Sequence, residues 1–174
     1  MSAGETITAL LLSDSHGSID PRIARLAAGC DYAVHAGDVG TAAVLDALRP
    51  KRRLVAVRGN NDTPAKWAVA ERAALARLVD VAVLDLPGGR LYAVHGHRHG
   101  APRLRHARLR ASFDGARCVV YGHSHRLVCD TEETPWVVNP GACGRARTFG
   151  GPSCVLLTVR GVRWRLAVHR FAPQ

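Results

Sequence analysis

The sequence predicts an α/β protein built on two sheets, and three observations carry that prediction. In the first half, apolar strand-like runs alternate three times with Ala-, Leu- and Arg-rich helical stretches. That alternation is the pattern of a largely parallel sheet with helices on its faces. In the second half, strands follow one another through tight turns, which suggests a second, mostly antiparallel sheet packed against the first. Finally, each strand of the first half ends in a polar loop that contains glycine and carries Asp, His or Asn.

The elements follow in order. Thr6 and Ile7 open an apolar run that continues to Leu12, the length of a buried strand, and stops at Asp14-Ser15-His16-Gly17. Pro21 to Ala28 puts Ile23, Leu26 and Ala27 at helical spacing, with a proline suited to the first turn. Tyr32 to Ala36 is a second strand, ending in Gly37-Asp38-Val39-Gly40, and Thr41 to Leu48 a second helix. Leu54 to Val57 is a third strand, ending in Gly59-Asn60-Asn61-Asp62. Ala65 to Leu78 reads as a third helix, with Trp67, Ala70, Ala74, Leu75 and Leu78 largely on one face. Val81 to Leu86 and Arg90 to Val94 form a hairpin whose second strand runs into His95-Gly96-His97-Arg98-His99. Pro102 to Ser112 is a basic helix. Arg117 to Tyr121 is a strand ending in Gly122-His123-Ser124-His125, and Arg126–Asp130, Pro135–Val138, Ser153–Val159 and Gly161–Phe171 are further strands. No linker, repeat or low-complexity segment divides the halves, so we expect a single domain over residues 1–174.

Composition narrows the function classes. Every long apolar stretch is interrupted by Arg, Asp or Glu well short of ~20 residues, so no membrane span is expected. Glu5 stands where a secretory signal needs positive charge. Five cysteines with no CxxC spacing read as reduced thiols, hence a cytoplasmic chain, with Cys143 the one expected to be exposed. The formal net charge is +10, from 24 basic against 14 acidic residues. That favours phosphate-bearing partners; nucleic acid is not favoured, because charge alone defines no site.

The strand endings share one chemistry. Asp14, His16, Asp38, Asn60, His95, His123 and His125 offer carboxylate, amide-oxygen and imidazole donors, the ligands of divalent first-row metals. The set is too large for one ion, whereas two ions ~3.5–4 Å apart sharing a carboxylate would use it all. Without thiolates, a closed structural zinc site is not expected.

Asp14-Ser15-His16, Gly37-Asp38, Gly59-Asn60-Asn61-Asp62, Val94-His95-Gly96-His97 and Gly122-His123-Ser124-His125 resemble, in order and spacing, the five motifs of the calcineurin-like metallophosphoesterases. The small bacterial and archaeal phosphodiesterase branch is the nearest in pattern, and the Asn139-Pro140-Gly141 loop is similar to that branch too. The resemblance implies a four-layer α/β/β/α sandwich of two mixed sheets flanked by helices. It implies one metal held by Asp14, His16, Asp38 and His125, and a second by Asp38, Asn60, His95 and His123, with Asp38 bridging. Manganese suits the set, with Fe, Zn, Co or Ni as alternatives. The implied function is a dinuclear metal-dependent phosphoesterase, most simply a phosphodiesterase, in which a metal-bridging hydroxide attacks small or nucleotide-type phosphoesters. Asp38, Asn60 and His95 are then catalytic as well as ligating.

The chain departs from many relatives at Asn61, where they carry a histidine that protonates the leaving group. An amide is no acid at neutral pH. His97 or His99, close in sequence to His95, are substitute proton donors. Asp62 is expected to hold its loop together, and His35 to be a core or supporting residue. Arg103, Arg105, Arg108 and Arg110 read first as a solvated helix face, and Arg145 and Arg147 as better phosphate-gripping candidates. Trp67 and Trp136 are expected in the core. Alternatives from other classes are a non-catalytic scaffold of the same fold, as in a retromer subunit, and a nuclease. A homo-oligomer stays open.

Overall fold

Strand β1 (Thr6–Leu12) lies at the centre of the first sheet in a computed structural model that describes residues 5–173. Its side chains alternate. Ile7, Ala9 and Leu11 enter the core between the two sheets, and Leu10 and Leu12 enter the core beneath the helices. Burial on both faces accounts for the unbroken apolar run. β2 (Tyr32–His35) pairs parallel with β1, and β3 (Arg53–Ala56) parallel with β2. Helix α1 (Pro21–Gly29) starts at Asp20, whose carboxylate accepts from the Arg22 backbone N–H at 2.8 Å, and buries Ile23 and Ala27. It covers the outer face of this sheet with α2 (Ala42–Ala47) and α3 (Arg72–Ala76).

The second sheet contains β4 (Val81–Leu86), β5 (Gly89–Val94), β6 (Cys118–Val120), β7 (Val128–Asp130) and β8 (Trp136–Asn139), in the order β4-β5-β6-β8-β7. It is mixed, not mostly antiparallel as expected: β5, β6 and β8 run parallel, and only the outer β4 and β7 pair antiparallel. Helix α4 (Pro102–Ser112) supplies the crossover that a parallel β5–β6 pair requires. The last two strands, β9 (Ser153–Arg160) and β10 (Arg163–Arg170), leave this sheet and complete the first one beside β1, in the order β10-β9-β1-β2-β3. β9 is apolar on both faces: Val155, Leu157 and Val159 point between the sheets, and Cys154 and Leu156 toward the helices. Such a strand is stable only where both faces are covered.

The layers are therefore α1–α3, first sheet, second sheet, α4, as the four-layer expectation holds. Cys118 and Val120 of β6 face the first sheet, while Val119 and Tyr121 face α4. The consequence for function lies in direction. β1, β2 and β3 run parallel, as do β5, β6 and β8, and every loop noted for its polar motif follows one of these six strands.

Three local expectations are corrected. Ala65 to Leu78 is not one helix but a turn, a 3₁₀ turn at Val69–Glu71 and then α3, because Ala68 is extended and the Trp67 indole N–H is tied to Asp62 at 3.1 Å. Trp67, Ala74, Leu75 and Leu78 still reach one core, but Ala70 is exposed. Cys143 is fully buried, and Cys129 is the partly exposed thiol. Of the α4 arginines, Arg103 and Arg108 are exposed as expected, but Arg105 and Arg110 are not part of a solvated face. Arg105 is buried and donates to the Gly100 carbonyl at 3.1 Å, and Arg110 pairs with Asp130 at 2.6 Å.

Leu109 is the large apolar side chain with which α4 docks, at 0% exposure, whereas Leu104 is 42% exposed. We expect Leu109→Ala to lower unfolding free energy by about 3 kcal/mol and Leu104→Ala by less than about 1 kcal/mol, read from urea or thermal unfolding.

Candidate metal centre

The loops after β1, β2, β3, β5 and β6 meet over the ends of the two sheets. Five of the residues expected to bind metal adopt the left-handed backbone that non-glycine residues rarely use: Asp14 (φ 53°), His16 (46°), Asp38 (54°), His123 (69°) and His125 (57°). Each such residue costs of order 1–3 kcal/mol, and such costs gather at functional sites. Asp14 and His16 share a site because these backbone reversals turn the loop, not because a strand continues through them. Gly59 and Gly122 are needed for close approach. A Cβ on Gly59 would run into the Asp38 carboxylate and backbone, and one on Gly122 would come within 2.7 Å of an Asp14 oxygen.

All seven side chains named from the sequence converge. Asp38 Oδ2 lies 3.4 Å from His95 Nε2 and 3.7 Å from His16 Nε2. His16 Nε2 and His125 Nε2 are 3.0 Å apart, with stacked rings, and His125 Nε2 is 3.4 Å from Asp14 Oδ1. The Asn60 amide oxygen lies 3.1 Å from His95 Nε2 and 3.0 Å from His123 Nδ1. Asp14, His16 and His125 form one group with donor atoms close enough for a shared ion, and Asp14, Asp38 and His95 form another. The fit to a divalent cation rests on these donors. Carboxylate and amide oxygens and imidazole nitrogens face one another at 3.0–3.7 Å. The His95 Nδ1–H is spent on the Ala36 carbonyl at 2.9 Å, which leaves Nε2 facing the carboxylates.

The electrostatics are unequal. Burial pushes the Asp14 carboxyl up to about 7, against the opposing pull of His95 and the Ser13 hydroxyl. Burial acts the same way on Asp38, but hydrogen bonds from His95 and Asn61 together with the His95 charge outweigh it and hold that carboxyl well below the usual range. Burial likewise opposes the rise of His95, which Asp38 and Asp14 nevertheless impose. Burial lowers His16 and His123, and brings His125 down to about 4 with help from Arg147 and His16, so these rings present lone pairs at neutral pH.

Supporting residues hold the loops in place. His35 is fully buried: Nδ1 accepts from the Gly37 N–H at 3.2 Å, so Nε2–H donates to Ser15 Oγ at 2.9 Å, and Ser15 Oγ–H donates to the Val39 carbonyl. Asp62 accepts from the backbone N–H groups of Val39, Gly40 and Gly59, a loop-holding role as expected. The Asn139 amide donates to the Gly122 carbonyl and to Ser124 Oγ at 2.8 and 2.9 Å. The sequence reading passed over Ser15, whose only signal is its place between two donors. It also passed over Lys66, which nothing local distinguishes and whose ammonium reaches the Asn61 amide oxygen. His97 stands beside His95 and His123, with ring centroids 5.4 and 6.2 Å away. His99 instead packs on Phe113, with centroids 6.0 Å apart. Arg147 Nη2 is 3.2 Å from His16 Nε2, whereas Arg145 lines a separate crevice beside Asp20 and Pro152.

The chain resembles known proteins over most of its length. A probable metallophosphoesterase of Bacillus subtilis, YsnB, is 27% identical over 154 residues, 86% of this chain and 83% of the relative. Among solved structures, an archaeal phosphodiesterase superposes with a TM-score of 0.69 at 20% identity, covering 94% of this chain and all of the other. Vps29 from Entamoeba histolytica, complexed with zinc, gives 0.71 at 19% identity, covering 95% and 98%. The calcineurin-like phosphoesterase superfamily domain matches residues 7–161, and the chain belongs to that superfamily.

Proposed function

We propose that this chain is a phosphodiesterase for small or nucleotide-type phosphoesters, dependent on two divalent metals and working in the cytoplasm with residues 1–174 as one catalytic domain. The observation that carries the reading is the meeting of seven metal-type donors from five separate loops around two buried carboxylates. In this reading Asp14, His16, Asp38 and His125 hold one cation, and Asp38, Asn60, His95 and His123 the other. Manganese is the preferred ion for such nitrogen and oxygen donors. Bound there, the cations would supply an acidified water for in-line attack and neutralise charge on the phosphoryl group.

The chain's own residues do the rest. Asn61 donates to both Asp38 oxygens, at 2.8 and 2.6 Å, and so fixes the carboxylate that both cations would share. His97 is the proposed proton donor to the departing oxygen, since it stands over His95 and His123 while His99 is turned away. A scaffold role has the fold likeness to Vps29 in its favour. The complete donor set favours catalysis, and fold alone does not decide between them.

Hydrolysis of bis-p-nitrophenyl phosphate with added Mn²⁺ tests the reading. Asp38→Asn should lose bound metal and lower turnover by more than about 100-fold, beyond the usual loss from a mere supporting contact. Full activity with metal retained would overturn the assignment. Metal uptake should also depend on pH. The Asp14 carboxyl is protonated below about 7 in the metal-free fold, and that proton competes with a cation. Affinity for Mn²⁺ is therefore expected to rise from pH 6 to pH 8 with proton release, measured by calorimetric titration in buffers of different ionisation enthalpy.

A further inference from the structure

Four arginines have carboxylate partners among the described residues: Arg22 with Asp20, Arg52 with Glu5 and Asp31, Arg98 with Asp80, and Arg110 with Asp130. Two cations beside the metal centre do not. Among the described residues, the Lys66 ammonium bonds only to the Asn61 amide oxygen, and Asn61 Nδ2 in turn touches Asp38 Oδ2 at 2.6 Å. The Arg147 guanidinium reaches His16 Nε2 at 3.2 Å, and His16 Nε2 lies 3.7 Å from the same Asp38 oxygen. A line of contacts thus runs from Arg147 through His16, Asp38 and Asn61 to Lys66, with a positive charge at each end.

Both ends are held by backbone. The Lys66 N–H donates to the Thr63 carbonyl at 2.9 Å, and the next residue, Trp67, is anchored on Asp62. Arg147 sits in left-handed backbone at φ 52°. Both side chains belong to exposed residues, so an anion can reach them. A cation taking the His16 Nε2 lone pair would remove the acceptor that now occupies Arg147 and free its donors.

We propose that Lys66 and Arg147 are the two arms of a clamp on the non-bridging oxygens of a phosphoryl group, one at each end of the donor cluster. Charge-assisted donors of this kind give both affinity and orientation to a tetrahedral oxyanion. The clamp rests on the phosphoesterase reading and names what that site grips: an anionic tetrahedral phosphate with two free oxygens.

The test is calorimetric titration of inorganic phosphate into Mn²⁺-loaded protein, with metal content and KM for bis-p-nitrophenyl phosphate measured alongside. Lys66→Ala and Arg147→Ala should each weaken phosphate binding roughly 10-fold, and the double variant roughly 100-fold, as independent sites multiply. Lys66→Arg should recover most of the loss, and metal content should not change. Lys51→Ala, removing the chain's only other lysine from an exposed position before β3, should leave affinity unaltered. Affinity in either clamp variant equal to wild type, or an equal loss in Lys51→Ala, would overturn the clamp. If the wild type hydrolyses the diester while the variants bind phosphate normally, the clamp alone falls. If the wild type neither hydrolyses nor binds, the phosphoesterase reading falls with it.

Discussion

Two carboxylates buried within one cluster are the burden that the rest of this structure meets. Asp14 is 0% exposed and Asp38 2%. An unpaired ionised carboxylate away from water is strongly unfavourable, and a second beside it adds repulsion. The fold meets this with donors. The His123 N–H reaches Asp14 at 3.1 Å, Ser13 reaches it at 2.8 Å, and Asn61 supplies both of its N–H types to Asp38. The compensation is uneven: Asp38 stays ionised, while Asp14 keeps a strong hold on its proton. A cluster of this kind is better matched by a divalent cation than by solvent, and the surrounding imidazoles, mostly held neutral by burial, are suited to share one.

Bringing these groups together depends on parallel strands. A parallel sheet delivers every strand end to one edge, and two such sets, stacked face to face, deliver six loops to one place. The loops must then reverse within one or two residues, which is where the left-handed backbone at Asp14, His16, Asp38, His123 and His125 arises. That strain is held by a tier of hydrogen bonds behind the donors. His35 and Ser15 tie the first loop to the second, Asp62 ties the third to the second, and Asn139 ties the loop after β8 to the loop after β6. The parallel bridge between Ser13 and Ala142 joins the two sheets at the same edge.

Part of the positive charge is taken up inside the fold. On α4, Arg105 is buried against a carbonyl and Arg110 is bound by Asp130, so this helix presents no continuous basic stripe. Among the described residues, Lys66 and Arg147 stand beside the donor cluster without a carboxylate partner. The fold is shared with Vps29 as well as with a phosphodiesterase, which leaves the side chains at the sheet edge, not the architecture, to distinguish enzyme from scaffold.

Reading the chain as text was enough to locate the strands, because burial on both faces writes an unbroken apolar run such as Ile7–Leu12. It was enough to single out seven side chains of donor type that the fold brings together, because metal chemistry restricts residue type and each stands in a loop that follows a strand. Pairing across long separations was not legible. β9 and β10 read as members of the second sheet because apolar periodicity reports that a face is buried, never against which strand. The helix expected over Ala65–Leu78 failed for a similar reason, since one indole–carboxylate contact overrode local propensity. Lys66 and the tie between His35 and Ser15 became visible only with three-dimensional coordinates. Hydrogen bonds between residues distant along the chain leave no spacing in the sequence, so the identity of the donors was a property of the sequence and their support a property of the fold.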